Sequence, residues 1–429
     1  MINTEVSSKS YRANPHELLT KENLVIDNPL FGEDFIFGES ILGEIDQMRK
    51  TDDTDIEISD LLEKAREDML LRAKVHSARN GYLELVAGDE IIDMIKSVML
   101  DESISSKLLK HFKDHYDPDE LFKLKRGYLN LNHIKELPLD IIEAIIRDHV
   151  ARTKEVIIDL ETEIKKNREE YCDLLRIELE DSGIDSDRVI NRVLASDIFV
   201  ADDFELKRSN YHASELTSGK KSSVLFAVSS LKQNLRKISF HEFFHVASGK
   251  MSKYIREKTD EDDDDFSLQQ KHMKHGFNLG FDRIDDKWPE QWAYNQLNEG
   301  MTELMAIALD QGIPFRELGS KQLEIKFQKP YFPELRLVRH LLFGGNSVIS
   351  FSVFLKAYLE DYQKDGSGSV LPDFVDMHHK IDDSFNHKGY LAKVIKFISN
   401  ERLKILDDKE AISISEIVDR LEEDPEFIY

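Results

Sequence analysis

The chain has 429 residues, with 58 Lys and Arg against 83 Asp and Glu and a formal net charge of −25. That balance argues against a nucleic-acid partner or an acidic membrane surface, because phosphate recognition needs a basic face. A hydrophobic fraction of 41% describes a soluble protein with a sizeable core, and the single cysteine, Cys172, excludes a disulfide framework or a thiolate metal site within the chain.

The start, M-I-N-T-E-V-S-S-K-S-Y-R, lacks the basic flank and apolar run of a cleaved signal, and no stretch is apolar for long enough to span a bilayer. The expectation is a cytoplasmic, reducing compartment without a membrane span, with signal-independent export left open. Residues 1–55 read as a polar, irregular arm that packs on the body. From 56 to 182 the pattern is helical: apolar residues recur at three and four, as in L-D-I-I-E-A-I-I-R-D-H-V-A-R-T, and Pro118 and Pro138 break one helix from the next. A core region follows over 183–350. In it D-I-F-V-A-D-D-F (197–204) and S-V-L-F-A-V (223–228) read as strands, and T-S-G-K-K (217–221) as a turn.

Residues 229–248 read as one helix that stops at Gly249. An insert over 250–290 carries the acidic run T-D-E-D-D-D-D-F, expected as a solvated loop, and a strand at H-G-F-N-L-G-F (275–281). A further helix starts near Asn298. The rest, with 351–429 as a C-terminal region, is helical, and D-G-S-G-S (365–369) reads as a linker. Trp288 and Trp292 are expected to wall a cleft or core.

Within F-H-E-F-F-H, His241 and His245 are four apart and share one helical face, so both imidazoles can aim at one point. Glu242 lies about 100 degrees round from His241, beside that point without being a ligand. Two imidazoles and a base able to reach a metal-bound water are what a zinc hydrolase needs. Apolar residues surround the helix on both sides, so it belongs inside the protein, where unpartnered His and Glu would be costly. His111 and His115 share the spacing but have charged neighbours and no Glu, and read as an exposed helix face. His378, His379 and His387 read as a polar loop.

Catalytic zinc takes three protein ligands. A third histidine six residues beyond the second is absent, since Met251 stands there and Ser248 takes the place of the accompanying Gly. In L-N-E-G-M-T-E-L-M-A (297–306), Glu299 and Glu303 share a face of an apolar helix. One carboxylate can bind the metal and the other can accept the free N–H of a ligand histidine. The alternative for this stretch is an N-cap at Asn298 with acids near the positive helix end.

Together His241-Glu242-x-x-His245 and Asn298-Glu299-Gly300-x-x-Glu303 resemble the gluzincins, the thermolysin and aminopeptidase-N type of metallopeptidase. The resemblance covers about 186–350. It implies Glu299 as the third zinc ligand and Glu303 as the partner of a ligand histidine. The family has roughly twenty residues between the second His and that Glu, whereas residues 246–298 separate them here. By the same resemblance zinc activates water and the substrate carbonyl, Glu242 moves the proton, and a later Tyr or His steadies the oxyanion. Tyr331 is preferred for that last role, with His340 and His275 as alternatives. An edge strand within 211–228 would hold a peptide or protein substrate by β-addition. The chain lacks a Gly-x-Met-x-Asn segment, which favours an endopeptidase over an aminopeptidase. The expected fold is α+β and mainly helical: a zincin-like core with a small mixed sheet beside the His-Glu helix, and helical N- and C-terminal regions. The competing expectation is an inactive zincin-like binding or regulatory protein.

Overall fold

The computed structural model describes residues 36–51, 55–79, 89–98, 102–118, 131–180, 182–202, 213–218, 221–228, 234–258, 266–280, 292–318, 332–361, 363–365, 368–406, 412–425 and 427. It is mainly helical with small sheets, as expected. None of the described helices is long and apolar enough to cross a membrane. The chain forms two compact units. One comprises 1–162, 200–212 and 226–233; the other comprises 163–199, 213–225 and 234–429.

In the first unit, helices α1 (Glu39–Met48), α2 (Asp55–Arg79), α3 (Asp89–Val98), α4 (Glu102–His115) and α5 (Leu131–Lys135) precede α6 (Leu139–Leu179). Ile141, Ile142, Ile145, Ile146 and Val150 of α6 recur at helical spacing and close a core over Leu42, Ile45, Leu62, Met69, Ile95 and Leu108. Pro138 sets the start of α6, its carbonyl accepting the amides of Ile141 and Ile142. The arm expected over 1–55 differs over its later part. Its first 35 residues lie outside the described ones, but Ile36 and Phe37 are buried and α1 follows at once. Buried Asp202 takes both the Phe37 amide (2.7 Å) and His149 Nε2 (2.8 Å), anchoring this stretch. His115 is exposed, as expected, but His111 on the same helix is half-buried, with its Nε2 shielded from solvent.

The second unit continues α6 and adds α7 (Ser186–Leu194), then the greater part of β1 (Asp197–Ala201), all of β2 (Ala213–Ser218) and the greater part of β3 (Lys221–Ala227); the sheet order is β1-β3-β2. Next comes α8 (Leu235–Ala247), which carries the His-Glu motif. The insert is a four-stranded sheet in chain order: β4 (Lys250–Lys258), β5 (Phe266–His275), β6 (Asn278–Gly280) and β7 (Trp292–Ala293). Strands β4 and β5 pair antiparallel from Lys250↔His275 to Lys258↔Phe266. The single strand expected at 275–281 is instead a turn at Gly276 and Phe277 between β5 and β6. The acidic run 259–265 and Trp288 lie outside the described residues; Trp292 stands in β7.

Helices α9 (Asn295–Gln311), α10 (Phe332–Phe343) and α11 (Phe351–Leu359) follow, then β8 (Gln363–Asp365) and β9 (Gly368–Val370), and finally α12 (Pro372–Phe385), α13 (Tyr390–Leu406) and α14 (Ile414–Glu423). The linker expected at 365–369 is therefore the bend of a hairpin, with Asp365 opposite Gly368. Only Gly366 and Ser367, which lie outside the described residues, separate the two strands, and a two-residue Gly-Ser connection is a hairpin signal that a composition reading takes for flexibility. His378 and His379 lie on α12 rather than in a loop, and the His378 ring packs against Phe374 and Tyr294.

Around α8 the core is aromatic. Phe240, Phe243 and Phe244 are fully buried, and all three rings meet Tyr171 of α6. The Tyr171 hydroxyl has no hydrogen-bond partner among the described residues. An unsatisfied buried hydroxyl costs about 1–3 kcal/mol, so Tyr171→Phe will raise unfolding stability by about 1 kcal/mol. A denaturant titration of the two proteins reads this directly. Neighbouring Cys172 is buried, and burial pushes its thiol up to about 11, which leaves no thiolate for chemistry at neutral pH.

Candidate metal centre

Helix α8 begins where Asn234 Oδ1 accepts the Lys237 amide. It is thus shorter than the helix expected from 229; residues 229–233 lie outside the described ones. Its end is held from outside. Arg192 of α7 donates to the carbonyls of Ala247 and Ser248 while pairing with Asp361, placing a cation on the negative helix terminus. Gly249 follows, at the stop that the sequence predicts, and packing explains the residue. Ser248 leaves the helix in extended backbone, and a Cβ on Gly249 would fall 1.9 Å from the Glu360 carbonyl oxygen. Close approach of α11 demands the glycine.

Helix α9 starts at Asn295, after Tyr294 in left-handed backbone. Asn298 is therefore inside the helix, and the N-cap alternative for this stretch is wrong. Its Oδ1 accepts the Phe277 amide (2.9 Å), tying the turn of the insert to α9, and its Nδ2 stands 3.5 Å from His245 Nδ1, at the outer limit of a hydrogen bond.

Packing of α8 on α9 brings two ladders of i, i+4 residues together. His241 Nε2 and His245 Nε2 are 3.2 Å apart, and each lies 3.5 Å from Glu299 Oε2. On the other side of the His241 ring, Nδ1 is 3.0 Å from Glu303 Oε2. Glu303 Oε1 in turn accepts from Lys237 Nζ at 2.6 Å. Contacts that advance along α8 from 237 to 245 thus retreat along α9 from 303 to 299, so the two helices run antiparallel. A carboxylate on Nδ1 requires a proton there, which turns the Nε2 lone pair toward His245 and Glu299.

These donors fit a metal ion. A tetrahedral ion with bonds of about 2.0–2.1 Å needs donor–donor edges of about 3.3–3.4 Å, and the three edges are 3.2, 3.5 and 3.5 Å. Among the described residues, His241, His245 and Glu299 are the group of potential ligands that meets in this way. Charge points in the same direction. Among the described residues three carboxylates, those of Glu242, Glu299 and Glu303, act on the His241 imidazole, and Lys237 pairs with Glu303. Burial opposes charge on His241, but the hydrogen bonds of Glu299 and Glu303 and the charge of Glu242 outweigh it and push the imidazole up to about 10. Burial likewise opposes charge on Glu299 and Glu303. The imidazoles, with Lys237 for Glu303, hold both carboxyls below their ordinary range. Surroundings that hold a proton on His241 also favour a metal cation in its place. Glu303 is 1% exposed, whereas the Glu299 side chain is 20% exposed and marks the side open to solvent.

The remaining candidates fare differently. Glu242 is buried on α8, close enough for its charge to raise His241. Tyr331 lies outside the described residues, and of His275 only the backbone, at the end of β5, is described. His340 is not drawn to the centre. It sits on α10 with Nε2 2.9 Å from Tyr390 Oη and its ring against Phe385, while Nδ1 has no partner among the described residues. Burial holds His340 down to about 4. The unfolded chain therefore binds the extra proton, so this contribution is complete above about pH 6.5 and is lost as pH falls toward 4, by about 2–3 kcal/mol. Urea unfolding at pH 7 and 4.5 will show a smaller acid loss in His340→Gln than in the parent; equal losses would place the sensitivity elsewhere.

Lys237 was not singled out by the sequence, although one signal was there: it stands four residues before His241, on the same helical face. Strand β2 is at an edge of its sheet and lies against α8, within the segment expected to meet substrate. No protein-family model, curated protein or solved structure matches the chain.

Proposed function

We propose that this chain is a zinc-dependent metallopeptidase of the gluzincin kind, an endopeptidase of narrow specificity acting on peptide or protein substrates. The observation that carries the reading is the triangle of His241, His245 and Glu299 at tetrahedral edge lengths, with Glu242 one residue from the first ligand. His241, His245 and Glu299 would hold the ion. Bound zinc supplies a Lewis acid that acidifies water and polarises a carbonyl. Glu242 takes the proton from the attacking water and delivers it to the leaving amine, a transfer that needs a carboxylate ionised at neutral pH. The outer edge of β2 holds the substrate main chain extended beside α8. Tyr331 keeps the role of oxyanion donor.

Elemental analysis tests the reading first. About one zinc per chain is expected in the parent and in Glu242→Gln, and much less in Glu299→Ala. Because two imidazoles and a carboxylate also suit iron(II), the protein is reconstituted with each metal separately. A parent chain that takes up neither ion would end the metal-centre reading.

A further inference from the structure

We infer that Lys237 is a positioning residue for the metal centre, acting on His241 through Glu303; the inference rests on the metal-centre reading above. Three observations carry it. Lys237 is only 8% exposed although it is a lysine, and its ammonium lies 2.6 Å from Glu303 Oε1. The other oxygen of the same carboxylate takes Nδ1 of His241, so one carboxylate is gripped from both ends. Glu303 itself is 1% exposed, and a carboxylate so deep in the protein is costly unless a cation pairs with it.

A carboxylate held at one point can swing about that bond. Held at both oxygens, it fixes the plane and the tautomer of the imidazole. Lys237 and His241 are four apart on α8, so the helix itself sets their separation, and Glu303 fits across it from α9. The sequence Lys237–Glu303–His241 therefore orients the ring, with Nε2 toward His245 and Glu299, before any ion arrives. Without the ammonium, Glu303 would be buried against His241 alone. It would be free to swing about that one contact, which loosens the ring.

The experiment is a double-mutant cycle in metal affinity on the full chain. Zinc affinity is measured by chelator competition for the parent, Lys237→Met, Glu303→Gln and the double variant, together with Lys237→Arg. Cobalt(II) absorption spectra of the same proteins report ligand geometry. Loss of an outer partner of a ligand typically weakens metal affinity about 10–100-fold. Lys237→Met is expected to lose affinity in that range with a displaced cobalt spectrum. The double variant should lose no more than Glu303→Gln alone, and Lys237→Arg should recover part of the loss. Parent-like affinity and spectrum in Lys237→Met, or additive losses in the double variant, would overturn the role. Failure of Lys237→Met and Lys237→Arg to fold would make the pair a folding element and overturn it too. If the parent binds neither zinc nor cobalt, the metal-centre reading fails first, and the inference falls with it.

Discussion

Under the proposed peptidase function, Glu242→Gln will retain metal and lose about 10²–10⁴-fold in the rate of peptide hydrolysis, the range by which a positioned general base accelerates proton transfer. The substitution keeps the size and polarity of the side chain and removes only the ability to take a proton. Glu242 neighbours His241 in sequence but points from a different angle of α8, and the cluster of His241, His245 and Glu299 is made without it. Metal content should therefore be unchanged while kcat falls with little change in KM, the pattern of a group used only in the transition state. Measuring zinc and turnover on one preparation separates this from a ligand defect, where both fall together. A Glu242→Gln protein that hydrolyses peptide at the parent rate would rule out the general base and favour a binding or regulatory role for the site.

Gly300→Ala is expected to damage the fold and the centre together. A Cβ at Gly300 would lie 2.3 Å from the Glu334 carbonyl oxygen and 2.9 Å from Val338 Cγ2, where α10 packs on α9. Backbone cannot step aside as a flexible side chain can, so the cost belongs at the upper end of overpacking, about 3 kcal/mol. The neighbour that must shift with it is Glu299, so zinc affinity should fall as well. Gly43→Ala is the control. It sits on the exposed face of α1 with nothing within 4 Å of its would-be Cβ, and should stabilise by about 0.5–1 kcal/mol. A normal melting temperature in Gly300→Ala would show that α9 and α10 can part at low cost, and that their close contact does not hold Glu299 in place.

Much of this was legible along the chain because its signals are local. The spacing of His241, His245, Glu299 and Glu303 reflects one helical period, and that period requires no knowledge of the fold. Pro138 and the three-four recurrence of isoleucines placed α6, and the burial of α8 on all sides followed from its apolar flanks. The insert was legible as an interruption between the two motifs, though not as a four-stranded sheet, because β4 and β5 pair across an acidic run that reads only as a loop.

Tertiary structure alone decided the rest. A sequence cannot say that Gly249 is a glycine because Glu360 passes close to it, nor that Asn298 reaches back to Phe277 rather than capping a helix. It does not show that Arg192 holds the end of α8, or that His340 belongs to Tyr390. Nor does it pair Lys237 with Glu303, because hydrogen bonds between residues 66 apart in sequence arise only once two helices have packed. Residue type and helical period determined which groups could bind a metal. The antiparallel contact of α8 with α9 decided that they meet, since donor separations near 3.4 Å depend on how two helices pack and not on the spacing within either.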